Sequence, residues 1–110
     1  NGEKPEDVQR TLVSFTAETV TDAIRNFAPH IKELRVCGGG AKNPLMISEL
    51  ALLNPDLLVT TTADLGVEPQ DVEGLAFAWL AYRFDCRETG NLPSATGASG
   101  SRILGCLYRA

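Results

Sequence analysis

Long apolar runs are missing from this chain. Its uninterrupted apolar stretches are short, well below the roughly 20 residues that cross a bilayer, so no membrane span is expected. Clustered basic residues are missing too. Lys and Arg are scattered singly and the net charge is -4. That disfavours a nucleic-acid partner, because phosphate binding needs gathered cations. Histidine is nearly absent, with His30 alone, and the three cysteines, Cys37, Cys86 and Cys106, are far apart with no C-x-x-C pair. A structural zinc ion normally takes four Cys or His ligands at close spacing, so no metal site is expected, and free thiols in a reducing compartment are the simpler reading. No Ser/His/Asp or Cys/His nucleophile can be assembled around a lone His30 at a helix end. The charged-then-apolar start of a signal peptide is lacking as well. The opening Asn1-Gly2-Glu3-Lys4 has no initiator Met, which reads as a cytoplasmic fragment.

What is present is an ordinary globular composition, 44% apolar and 22% charged, over 110 residues, a length that fits one domain spanning 1–110. Lys4-Pro5-Glu6-Asp7 reads as a helix start, because Pro has no N–H to lose in the first turn and the carboxylates suit the positive helix end. Val8, Leu12, Phe15, Thr19, Ala23 and Phe27 follow at steps of three and four, predicting one apolar stripe that Pro29 terminates. Glu33 to Cys37 reads as a short strand. Asn43-Pro44 predicts a second helix, with Asn43 as its cap, that Asn54-Pro55 closes. Leu57-Leu58-Val59-Thr60 has the compact apolar character of a buried parallel strand. Pro69 predicts the start of a third helix with the face Val72, Leu75, Ala76, Trp79, Leu80 and Arg83. Gly90 to Gly100 reads as loop, and a last strand is predicted from Ile103 to Tyr108. The order helix-strand-helix-strand-helix argues an α/β fold, with helices packed on a short parallel sheet. Two strands are few for a free-standing sheet, and the edge at Glu33–Cys37 invites another segment.

Ligands of open α/β sheets bind beyond the carboxyl ends of the strands. Gly38, Gly39 and Gly40 sit at such an end and lead straight into the helix capped by Asn43. Without Cβ atoms they would let a ring or a phosphate approach the backbone, beside the free N–H groups of a helix start. A tight turn needing positive φ is the alternative, though one glycine suffices for that. The pattern is neither G-x-G-x-x-G nor a P-loop. Glu73 and Asp71 either favour the helix dipole or place a carboxylate in a cleft. Asp64 reads as a turn former or a loop contact. Trp79 reads as core, with adenine stacking as the alternative. Lys42 is either solvated or a phosphate partner, and Thr96–Gly100 is either a second ligand loop or a connection.

Val36-Cys37-Gly38-Gly39-Gly40-Ala41-Lys42-Asn43, then Thr61 to Gly66, then Asp71-Val72-Glu73-Gly74-Leu75-Ala76-Phe77-Ala78-Trp79-Leu80-Ala81 resemble the anhydro-N-acetylmuramic acid kinase family. Asn91-Leu92-Pro93-Ser94-Ala95-Thr96-Gly97-Ala98-Ser99-Gly100-Ser101-Arg102-Ile103-Leu104-Gly105 is similar to that family's C-terminus. The resemblance implies an actin-like ATPase fold, the ribonuclease H-like architecture of sugar and acetate kinases, in which this chain would be the C-terminal portion of the second lobe. It implies ATP and Mg²⁺ as cofactors, and hydrolysis of the 1,6-anhydro ring with phosphorylation of the amino sugar during peptidoglycan recycling. Homodimerisation is implied as well. On the same basis Gly38, Gly39, Gly40 and Asn43 would contact the nucleotide and Glu73 the sugar. The family's G-T-S-x-D-G-x-D phosphate segment and its general base are expected upstream, in a missing N-terminal part, so no catalytic residue is expected here and the chain alone should be inactive. Gly74 and Ser101 depart from the family's Ala and Pro. Another kinase of the superfamily, or a non-catalytic nucleotide-binding or assembly module, is the competing expectation.

Overall fold

The computed structural model describes residues 2–108, which divide between Val72 and Glu73 into two compact units. In the first unit, α1 (Pro5–Phe27) begins on Pro5 with Glu6 and Asp7 in its first turn and Arg25 in its last, the polarity a helix dipole favours. It ends where the Ala28 amide bonds Ile24 O at 2.8 Å, just before Pro29. The helix turns a different stripe inward from the one its apolar periodicity predicts. Ala17 and Thr21 are fully buried, flanked by partly buried Val13, Val20 and Ile24, whereas Leu12, Phe15 and Phe27 are exposed. Small side chains decide this, because Ala17 and Thr21 let α2 (Pro44–Leu53) pack closely against α1. At that contact the Asn54 amide donates to Thr21 Oγ1 and to Leu50 O, both at 2.8 Å, and all of these residues lie in the buried centre.

Two parallel strands, β1 (Glu33–Val36) and β2 (Leu58–Thr61), form the sheet, with Glu33 opposite Leu58 and Val36 opposite Thr61. The second strand starts one residue later than its apolar run suggests, since Leu57 is spent in a turn, its amide bonded to Asn54 O at 3.0 Å. Leu58 then opens the ladder by donating to Lys32 O at 3.0 Å. The chain is thus α/β with helices and a short parallel sheet, as its alternation predicts.

The second unit is built on α3 (Val72–Asp85) and the C-terminal segment. Helix α3 does not start at Pro69. Glu68 to Asp71 instead make a turn closed by the Asp71 amide on Glu68 O at 2.9 Å. Pro suits the second position of such a turn as well as it suits a first helical turn, so the residue type alone cannot separate the two. Within the expected loop a short helix, α4 (Pro93–Thr96), forms and stops at Gly97, whose φ is 72°. The predicted strand from Ile103 to Tyr108 is absent. This segment has no ladder partner and runs instead beside α3, where a Cβ on Gly105 would sit 3.2 Å from the Phe84 ring. The loop is closed at its base by one side chain. Asn91 donates to Gly100 O at 3.0 Å and accepts from the Arg102 amide at 2.6 Å, while the Gly90 amide bonds Arg102 O at 3.0 Å. No helix among the described residues is long and apolar enough to cross a membrane.

Candidate functional site

Beyond the carboxyl end of β1 the chain enters Gly38 with φ 74° and ψ -164°, a region that L side chains adopt only under strain, and then makes a 3₁₀ turn from Gly39 to Lys42. The turn is closed by Ala41 N on Gly38 O at 3.2 Å and Asn43 N on Gly40 O at 3.1 Å. As the first residues of that turn, Gly39 and Gly40 keep their own amides unpaired among the described residues. A Cβ built on Gly38, Gly39 or Gly40 would meet nothing within 4 Å. Only Gly38 is therefore required by backbone conformation. Gly39 and Gly40 are not imposed by crowding inside the chain, and they leave an exposed strip of backbone whose two amides have no partner among the described residues.

Asn43 follows as the cap of α2, its Oδ1 accepting from Leu45 N at 3.1 Å and Met46 N at 3.4 Å. The Ile47 amide is taken by Asn43 O at 3.2 Å, and Pro44 has none to offer. The free N–H groups expected at this helix start are therefore already used. An anion placed there would have to displace Asn43, so the open glycine backbone suits an uncharged ring or hydroxyl better than a phosphate.

Structure and sequence agree that Gly38, Gly39, Gly40 and Asn43 share one continuous turn. Glu73 belongs to the second unit, exposed in the first turn of α3. Asp64 takes the turn-forming role, accepting a hydrogen bond from the Thr60 hydroxyl. Asp71 and Lys42 are exposed. Trp79 is half exposed rather than core, with the Arg83 guanidinium 5.4 Å from its ring centre. Arg83 is in turn held by Glu88 at 2.5 Å and by Thr89 O at 2.7 and 3.0 Å. Two features escape a reading of the sequence. The Gly38 amide donates to Pro69 O at 2.7 Å, and the Thr62 hydroxyl, one residue past the end of β2, is buried without a partner among the described residues. Neither carries a local signal, since one joins residues far apart in sequence and the other depends on burial.

The model of one family, anhydro-N-acetylmuramic acid kinase, matches residues 1–110 throughout. This chain belongs to the anhydro-N-acetylmuramic acid kinase family. Among curated members, the enzyme of Burkholderia thailandensis is 52% identical over 97% of the chain, that of Burkholderia pseudomallei 53% over 94%, and that of Burkholderia orbicola 55% over 94%. The chain spans less than a third of the length of these kinases, 28–29% of each. A family of kinases is a family of transferases, which gives the glycine turn a nucleotide to be weighed against.

For ATP, the residues present fit one portion of the ligand. The uncrowded backbone of Gly39 and Gly40 has room and donors for a nucleoside, while the capped start of α2 offers no phosphate cradle. No group of three or more His, Cys, Asp or Glu comes together among the described residues, so a Mg²⁺ bound with ATP would take its ligands from the nucleotide's phosphates, water and the rest of the enzyme.

Proposed function

We propose that this chain is the C-terminal part of an ATP-dependent kinase acting on anhydro-N-acetylmuramic acid. The complete enzyme would add water across the 1,6-anhydro bond and transfer the γ-phosphoryl group of ATP to O6, giving N-acetylmuramic acid 6-phosphate and ADP in bacterial cell-wall recycling. In this reading the chain is a single C-terminal portion of the second lobe of an actin-like ATPase, working in the cytoplasm of a homodimeric enzyme. The observation that carries the proposal is the family match along the whole chain, joined to a glycine turn that its own fold leaves uncovered.

When bound, ATP would supply the phosphoryl group and a Mg²⁺ accompanying it would shield the charge. The chain's own part is binding and orientation. Gly39 and Gly40 would lie against the adenosine, with their amides free to donate to it. Asn43 fixes the turn by holding α2 behind it. Glu73, exposed at the start of α3, would accept hydrogen bonds from the amino sugar. The residues that activate water and hold the triphosphate belong to the rest of the enzyme.

A chimera tests this reading directly. The chain replaces the matching segment of the Burkholderia thailandensis kinase, and ADP release is followed with anhydro-N-acetylmuramic acid as acceptor. Turnover dependent on that sugar is expected from the chimera, and none from the 110-residue chain alone. A folded chimera that phosphorylates only other sugars overturns the substrate, and turnover by the isolated chain overturns the division of labour. Gly39→Asp in the chimera should raise the KM for ATP by about tenfold or more, by setting a carboxylate against the nucleotide. An unchanged KM removes the glycine turn from the nucleotide site.

A further inference from the structure

The turn after β1 is held from outside itself, and the holding group is a backbone carbonyl on another loop. In the turn Glu68-Pro69-Gln70-Asp71 the carbonyl of Glu68 is used by the Asp71 amide at 2.9 Å. The carbonyl of the second residue, Pro69, has no role within such a turn and is left facing outward. It accepts the Gly38 amide at 2.7 Å. The loop reaches that position because the chain past β2 folds back on itself, with Gly66 N on Ala63 O at 2.9 Å and Val67 N on Thr62 O at 3.3 Å.

The geometry points to Pro69 as a positioning residue for the nucleotide turn. Gly38 occupies φ 74° and ψ -164°, and glycine has the widest choice of other conformations available to it. Nothing within the 3₁₀ turn uses the Gly38 amide, so the bond to Pro69 O is what selects this conformer and with it the direction of the Gly39 and Gly40 amides. Proline suits the acceptor side for two reasons. Its ring fixes φ near -65°, and it biases the preceding Glu68 toward extended backbone, so the carbonyl is presented with little freedom left to lose. Pro69 thus acts through Gly38 and touches no ligand itself. The sheet is tied at both ends by such cross-links, Leu58 N to Lys32 O at its start and Gly38 N to Pro69 O beyond its finish. This inference rests on the nucleotide reading of the turn.

Its test has two arms. Amide hydrogen exchange of Gly38 and Leu58 is measured in the chain with Pro69→Ala and Pro69→Gly. Gly38 should exchange faster, by about tenfold in the glycine variant and by less in the alanine variant, while Leu58, at the other end of the sheet, keeps its rate. Equal acceleration at both sites means that the sheet has merely loosened, and no change at Gly38 means that the Pro69 ring plays no part in holding it; either result overturns the proposal. In the chimeric kinase, Pro69→Gly should raise the KM for ATP severalfold with a smaller change in kcat, and Pro69→Ala should recover part of the loss. A released Gly38 amide with an unchanged KM for ATP overturns the positioning role. If the chimera with native Pro69 never turns over, the kinase reading has failed, whereas the exchange arm still decides whether Pro69 holds the Gly38 amide.

Discussion

Around Asn54 the first unit closes on itself. One amide group satisfies Thr21 Oγ1 and Leu50 O at 2.8 Å each, tying α1 to the end of α2, and Ala17 and Leu50 are buried with it. Around α3 the second unit has no such centre. Leu75, Phe77, Trp79 and Tyr82 are all exposed, and no residue of the described part of this unit is buried. A helix that is apolar on every side is normally an interior helix, whereas a helix with a small-residue stripe needs only one neighbour. Two helices of one chain can thus carry opposite demands. Both units leave large apolar side chains exposed, but only the first has a buried centre of its own.

The largest expected effect comes from breaking the closed side of this comparison. Asn54→Ala leaves two buried acceptors without their donor and should cost the first unit about 3 kcal/mol in chemical denaturation. Next is the glycine turn of the same unit. Gly38→Ala forces a Cβ into a conformation reserved for glycine and should cost about 2 kcal/mol, whereas Gly39→Ala should stay within about 0.5 kcal/mol, a contrast that denaturation midpoints will resolve. On the open side, Leu75→Gln should change the chain's stability by less than about 0.5 kcal/mol, since it removes a side chain already in water. A cost comparable to Asn54→Ala there would erase the contrast between the units.

Smallest is an electrostatic effect on α3. The Tyr82 phenol is pushed up from its ordinary 10.0, first by a side-chain hydrogen bond with Cys86 and then by the charges of Cys86 and Glu88. Because the shift favours the neutral phenol, its contribution is present below pH 10.0 and is lost as the pH rises through the raised value. Cys86→Ala should move Tyr82 ionisation back down, as read by ultraviolet-monitored alkaline titration. A titration that stays where it was would separate Tyr82 from Cys86.

Local chemistry made much of the first unit legible. Pro5, Pro29 and the Asn43-Pro44 pair mark helix ends because caps and proline act within one turn of the chain. Features set by distant partners were not legible. The inward stripe of α1 is chosen by which residues are small enough to admit α2, and apolar periodicity ranks Phe15 above Ala17. The one-residue delay of β2 depends on Leu57 being taken by Asn54 O. At the site, Gly38 to Gly40 and Asn43 stand out from their own sequence, whereas Glu73 reads equally as a dipole partner or a cleft carboxylate until the resemblance favours the second. Pro69 misled as a helix start, because its part is played toward Gly38, a residue remote in sequence.

Asn91 has a consequence for how this protein can vary. By gripping Gly100 O and the Arg102 amide together it gives the intervening loop a fixed neck, independent of what the loop contains. Chain length beyond such a neck is thermodynamically inexpensive, since each doubling of a flexible loop costs only about 0.6 kcal/mol. Between Thr96 and Ser99 the chain can therefore take added residues without disturbing α3. That makes this loop a natural place for a label to be carried.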